Sequence, residues 1–193
     1  WDFPVQEAIV RRARAMRADL VVLDSEHHVP GAHLVVSHSD WELIRTCPMP
    51  VLLVRTARKY SKPKLVAALD PQHAHDKPAS LDKTLLATAA SLASALDGEL
   101  HAAHAYKPYP YFAPGYPGDY VSLTQVAPEI EREHRDSLAS ALAKLSATAG
   151  IPKARQHLAL GDPTEALPTL AKKLGASIVV MGAVSRSGLR RLF

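Results

Sequence analysis

Two stretches of this chain repeat one another at a constant offset of 158 residues, Val21 aligning with Val179, and that self-similarity constrains the fold more than any other feature. The copies are QEAIVRRARAMRADLVVLD (6–24) and TEALPTLAKKLGASIVVMG (164–182). Glu7 aligns with Glu165, Ala8 with Ala166, Ala13 with Ala171, Ala18 with Ala176, and Val22 with Val180. Each copy reads as an amphipathic helix, a tight turn and a buried strand. A period this long marks repeated domains, not a solenoid.

Strand and helix signals alternate between the copies. MPVLLVRT (49–56) is a short β-branched run behind two prolines, and the polar ARKYSKP after it reads as a linker. KLVAALD (64–70) is the next strand. A helix follows with Leu81, Leu85, Ala89, Leu92 and Leu96 on one face, closed by Gly98 as its C-terminal cap. ELHAAHAY (99–106), a helix over about 128–149, and the strand ARQHLAL (154–160) lead into the second repeat copy, whose helix opens after GDP. Such alternation specifies an α/β fold with a parallel sheet covered on both faces. The expected division is residues 1–57 as the last part of one domain, 58–62 as linker and 63–193 as most of a second. The chain opens at Trp1 without an initiator methionine and stops at Phe193 as a new element falls due, so both domains are expected to be incomplete here.

Composition narrows the function. The apolar content of 47% supports a real core, and no run approaches the roughly 20 apolar residues of a membrane helix. Without a signal peptide, the expected compartment is the cytoplasm. The single Cys47 excludes an intrachain disulfide and a thiolate metal cage. A net charge of +4 spread among nearly as many acids does not imply nucleic acid, and Arg11, Arg12, Arg14 and Arg17 alternate with apolar residues as the solvated face of a helix.

The last stretch, SIVVMGAVSRSGLRRLF, reads as a buried strand running into a small, polar and basic turn suited to an anion. Together with KLVAALDP, LHAAHAY, GDPTEAL and CPMPVLLVR, in this order around the repeat, it resembles the universal stress protein family in its tandem two-domain form. That resemblance implies a doubly wound five-stranded sheet of order 3-2-1-4-5, dimerisation, and membership of either an ATP-binding or a non-binding branch. Ligands of such sheets sit outside the carboxyl ends of the strands where the order reverses. Family members that bind ATP use glycine, two residues, glycine, nine residues, then glycine and Ser or Thr. Gly182 fills the first place and Ser185 the second, while the third would fall at position 195. Arg186 and Ser187 add donors and Gly188 permits a close turn, beside Met181. Asp70 resembles the acidic residue that contacts the nucleoside, with Ala68 and Ala105 as wall positions. ATP or another adenine nucleotide, with Mg, is one reading of this turn and a relic loop is the other.

The first domain departs further, with Asp24 in place of Gly182, His27 in place of Ser185 and Glu26 between them, carboxylates that repel a polyphosphate. His27, His28, His33 and His38, and again His73, His75 and Asp76, read as surface groups and not as a metal site, because neighbouring ligands diverge. His101 and His104 stand three apart on a strand and face opposite sides, so at least one is expected to be buried or satisfied. The segment YKPYPYFAPGYPGDY (106–120) carries Tyr109, Tyr111, Phe112, Tyr116 and Tyr120 among prolines, as a lid or a structural cover. No nucleophile elbow or Cys, His and acid set is evident, so catalysis beyond slow ATP hydrolysis is not expected. The preferred reading is a stress-response ligand-binding and signalling protein with one degenerate and one nucleotide-competent domain, paired through their sheets and prone to homo-oligomerise. The alternative is a scaffold holding an apolar ligand or partner under the aromatic loop.

Overall fold

The apolar runs become parallel strands and the amphipathic stretches helices, in the order α1 (Val5–Ala15), β1 (Val21–Asp24), α2 (His38–Thr46), β2 (Val51–Val54), β3 (Lys64–Ala68), α3 (Leu81–Ala95), β4 (Glu99–Tyr106), α4 (Ala127–Ala147), β5 (Gln156–Leu160), α5 (Pro163–Leu174) and β6 (Ile178–Met181). This computed structural model describes residues 4–24, 38–55, 59–72, 80–107 and 127–183. The chain divides into two units, one holding the elements from α1 to β2 and the other spanning Tyr60–Gly182.

In the first unit β1 and β2 pair in parallel from Val21 against Val51 to Asp24 against Val54. Ala13 of α1, Val21 and Leu43 of α2 form its core, flanked by Ile9, Val10 and the half-buried Cys47. Arg11, Arg12, Arg14 and Arg17 are exposed. The helix is therefore held by its apolar stripe while its cations stay out of the core.

In the second unit four parallel strands lie in the order β5-β4-β3-β6. β3 is the centre, and Leu65, Val66 and Ala67 are all fully buried, as expected for a strand covered on both faces. Alternate residues serve opposite layers. Leu65, Ala67 and Leu69 pack with Leu85, Leu86 and Ala89 of α3 and Leu142 of α4. Val66 and Ala103 pack with Leu167 of α5 on the other side. The chain crosses from β3 to β4 and β5 on one flank and returns to β6 on the other, so the order reverses between β3 and β6.

Helix ends follow a shared rule. Asp162 caps α5 by accepting from the Thr164 N–H at 3.0 Å, with Pro163 at the first helical position. At the other end Gly175 is left-handed at φ 65° and the Ala176 N–H donates to Ala171 O. Arg17, the counterpart of Gly175 in the repeat, is left-handed too, at φ 54°, and the Ala18 N–H donates to Ala13 O. The turn geometry thus survives in both copies despite the side chain.

Two expectations change. The left-handed residue closing α3 is Asp97, at φ 49°, and not Gly98. Gly98 is needed for a different reason: a Cβ there would stand 2.5 Å from the Pro63 carbonyl oxygen and 2.8 Å from Leu65 Cδ1. The strand expected from Ala154 starts at Gln156, because Lys153–Arg155 form a single 3-10 turn. No helix among the described residues is long and apolar enough to cross a membrane.

Candidate functional site

The carboxyl ends of β3 and β6 bring together residues far apart in sequence. Ala68, the last residue of β3, pairs with Ala103 on one side and Met181 on the other. Extending the same registers sets Asp70 level with Ala105 and Leu69 level with Gly182. Ala68 and Ala105 are small, half-buried members of the α5-side layer, which leaves the crevice wall thin beside Asp70. Met181 is 59% exposed at the mouth.

The first turn of α3 touches both strand ends. The Asp70 N–H donates to Oδ1 of Asp82 at 3.3 Å, and Asp82 is 2% exposed. The nearest atoms to a Cβ built on Gly182 all belong to Leu81, with Cδ2 at 2.9 Å. Gly182 does not occupy the left-handed region, unlike Gly150, Gly161 and Gly175. It is exposed, and a side chain there would first meet Leu81. Ser185, Arg186, Ser187 and Gly188 lie outside the described residues, as do His27, His28, His33, His73, His75, Asp76 and the aromatic residues 109–120. Tyr106 remains, with its ring edge-on to His134 at 6.1 Å. Asp24 is exposed at the end of β1, in register with Val54. No group of three or more metal-ligating side chains converges among the described residues.

Sequence reasoning placed the two β4 histidines on opposite faces with at least one buried or satisfied; both are buried and bonded. His104 Nδ1 lies 2.8 Å from Leu69 O. His101 lies 2.8 Å through Nε2 from Glu99 Oε1 and 3.0 Å through Nδ1 from His157 Nε2, the two rings stacked at 5.2 Å. Arg155 completes the row with a 2.8 Å ion pair to Glu99. The hydrogen bond from His101, helped by Arg155 and Lys64, holds the Glu99 carboxyl below its ordinary range. Burial, and then the charges of His101 and Lys173, pulls His157 below 6.5.

This row stands at the amino end of β4 and β5, away from the crevice, and it has a sign. The folded chain protonates His157 later than the unfolded chain, so stability is fully present above about pH 6.5 and falls as the pH drops toward the lower folded value. Thermal unfolding should therefore shift downward between about pH 7 and pH 5, a range set by histidine, and His157→Asn should flatten that slope. An unchanged slope in the variant would exclude the pair as its source.

Residues 74–193 match the model of the Universal stress protein family. Over 195 residues the chain is 27% identical to the universal stress protein E homolog of Haemophilus influenzae, covering 98% of this chain and 60% of that relative. The identity is again 27% with universal stress protein E of Escherichia coli K12, covering all of this chain and 60% of that relative. Both curated relatives are thus longer, and the chain spans about three-fifths of their length. A functionally unknown protein from Pseudomonas aeruginosa PAO1, known by crystal structure, is 26% identical, superposes with a TM-score of 0.71, and is covered over 98% of this chain and 60% of its own.

Proposed function

The chain belongs to the universal stress protein family, and from that premise we propose that its second unit binds one adenine nucleotide, ATP with Mg, as a ligand-sensing component of a stress response. The observation that carries this reading is the meeting of Asp70 and Gly182 beside the first turn of α3, where the strand order reverses. Open α/β sheets bind ligands at that reversal.

The roles divide by chemistry. The Asp70 carboxylate accepts from ribose hydroxyls or the adenine amine, and Ala68 and Ala105 leave room for the flat nucleoside. In this reading the main chain at Gly182 takes the phosphates beside Met181, and the sequence supplies further donors in Ser185, Arg186, Ser187 and Gly188. Mg offsets phosphate charge when bound. Among the described residues Leu81 fills the side of Gly182, and in this reading the site serves binding and at most slow hydrolysis. The first unit, with Asp24 where the second has Gly182, does not bind ATP in this reading.

Calorimetric titration of Mg-ATP into the full chain tests it, and the expected result is one equivalent per chain. Absence of heat with ATP, ADP and AMP would sink the reading and favour a scaffold that takes an apolar ligand.

A further inference from the structure

Asp70 lies beyond the end of β3, where the sheet no longer dictates its direction. What does hold it comes from two other elements. The Leu69 N–H donates to Ala103 O at 2.8 Å, and the Leu69 carbonyl faces His104 Nδ1 at 2.8 Å. Both main-chain polar groups of Leu69 are therefore tied to β4. One residue later, the Asp70 N–H is tied to Asp82 of α3.

His104 is 7% exposed, and a buried imidazole must find a partner or carry the cost of its desolvation. A carbonyl oxygen can only accept, so Nδ1 carries the hydrogen and the tautomer is assigned by this partner. We infer that His104 is a positioning residue that fixes the Leu69–Asp70 main chain and so aims Asp70 at the nucleoside. The inference rests on the nucleotide reading and adds to it a residue two steps removed from any ligand. It also predicts a division that simple support of the fold would not produce. Gly182 follows β6, whereas the bond from His104 is made to Leu69 of the β3 end, so the phosphate end is expected to keep its geometry when the imidazole is lost.

The test uses calorimetric titration of adenosine and, separately, of Mg-tripolyphosphate into the full chain, His104→Asn and His104→Gln. An asparagine amide puts its N–H where Nδ1 stands, whereas a glutamine amide reaches the position of Nε2. Adenosine affinity should hold within about twofold in His104→Asn and fall about tenfold in His104→Gln, the loss of one well-placed hydrogen bond. Tripolyphosphate affinity should stay within about twofold in all three. Unchanged adenosine binding in His104→Gln, failure of His104→Asn to retain it, or equal loss of both ligands would overturn the assignment. A parent chain that binds neither ligand would instead overturn the nucleotide reading, and the inference with it.

Discussion

Gly182→Asp should remove nucleotide binding from this chain while leaving its fold in place. The substitution copies into the second repeat what the first already has at Asp24. Sterically it is mild, because φ at Gly182 is not left-handed and the first obstacle is Cδ2 of Leu81, the far end of a half-buried side chain that can turn away. Electrostatically it is severe. A carboxylate about 4 Å from a phosphate charge costs about 4 kcal/mol at the dielectric typical of a protein surface. Even partial screening leaves a loss of at least about a hundredfold in ATP affinity. Gly182→Ala separates the two effects and should cost no more than about threefold, since it displaces Leu81 without adding charge. Circular dichroism melting checks that both variants fold. ATP affinity in Gly182→Asp within tenfold of the parent would remove Gly182 from the site.

The largest effect on stability should come from Gly98→Ala, although alanine is the smallest side chain that can be added. Its Cβ would meet the Pro63 carbonyl oxygen at 2.5 Å, a main-chain atom fixed because it accepts from the Glu99 N–H at 2.8 Å. Relief requires β4 to move away from the start of β3 at the centre of the sheet. Overpacking of this kind costs up to about 3 kcal/mol, which for a unit of this size lowers the melting temperature by about 10 °C. Asp97→Gly is the informative partner. It relieves a left-handed non-glycine residue at φ 49° and should stabilise the chain by up to about 1 kcal/mol. Calorimetric melting of both variants distinguishes close approach at residue 98 from cap conformation at residue 97. A neutral Gly98→Ala would contradict the contact.

The architecture was legible where a pattern repeats locally. Periodicity located every described strand of the second unit to within about two residues, and parallel connection then put Asp70 and Gly182 at the same end of the sheet. The errors arose where a residue's role depends on a distant partner. Gly98 looked like a cap because it follows a helix, but its reason is Pro63, which no local signal reveals. The leucine spacing of α3 set the buried face through Leu81 and Leu96, both only half-buried, and passed over Asp82, which is almost fully enclosed. An acid in a first helical turn ordinarily faces water. Strand alternation set His104 opposite His101 and called for at least one of them to be buried or satisfied, but the partner, Leu69, is reached only through the register of β3 with β4.

The repeat also shows what packing adds to sequence. Val21 and Val179 are equivalent by offset, yet Val21 is 9% exposed and Val179 is 38% exposed. Val21 lies in a core with both Ala13 of α1 and Leu43 of α2. Among the described residues Val179 has α5 on its face and no counterpart of α2. Burial here is set by the covering helices and not by the strand.

The most direct measurement of the central claim is an amide NMR titration of the full chain with Mg-ATP, following the resonances of Asp70, Gly182 and Asp24. Saturable shifts are expected at Asp70 and Gly182 that fit one common dissociation constant, with Asp24 unmoved. Shifts centred on Asp24, or saturation at a site that leaves both Asp70 and Gly182 undisturbed, would contradict it.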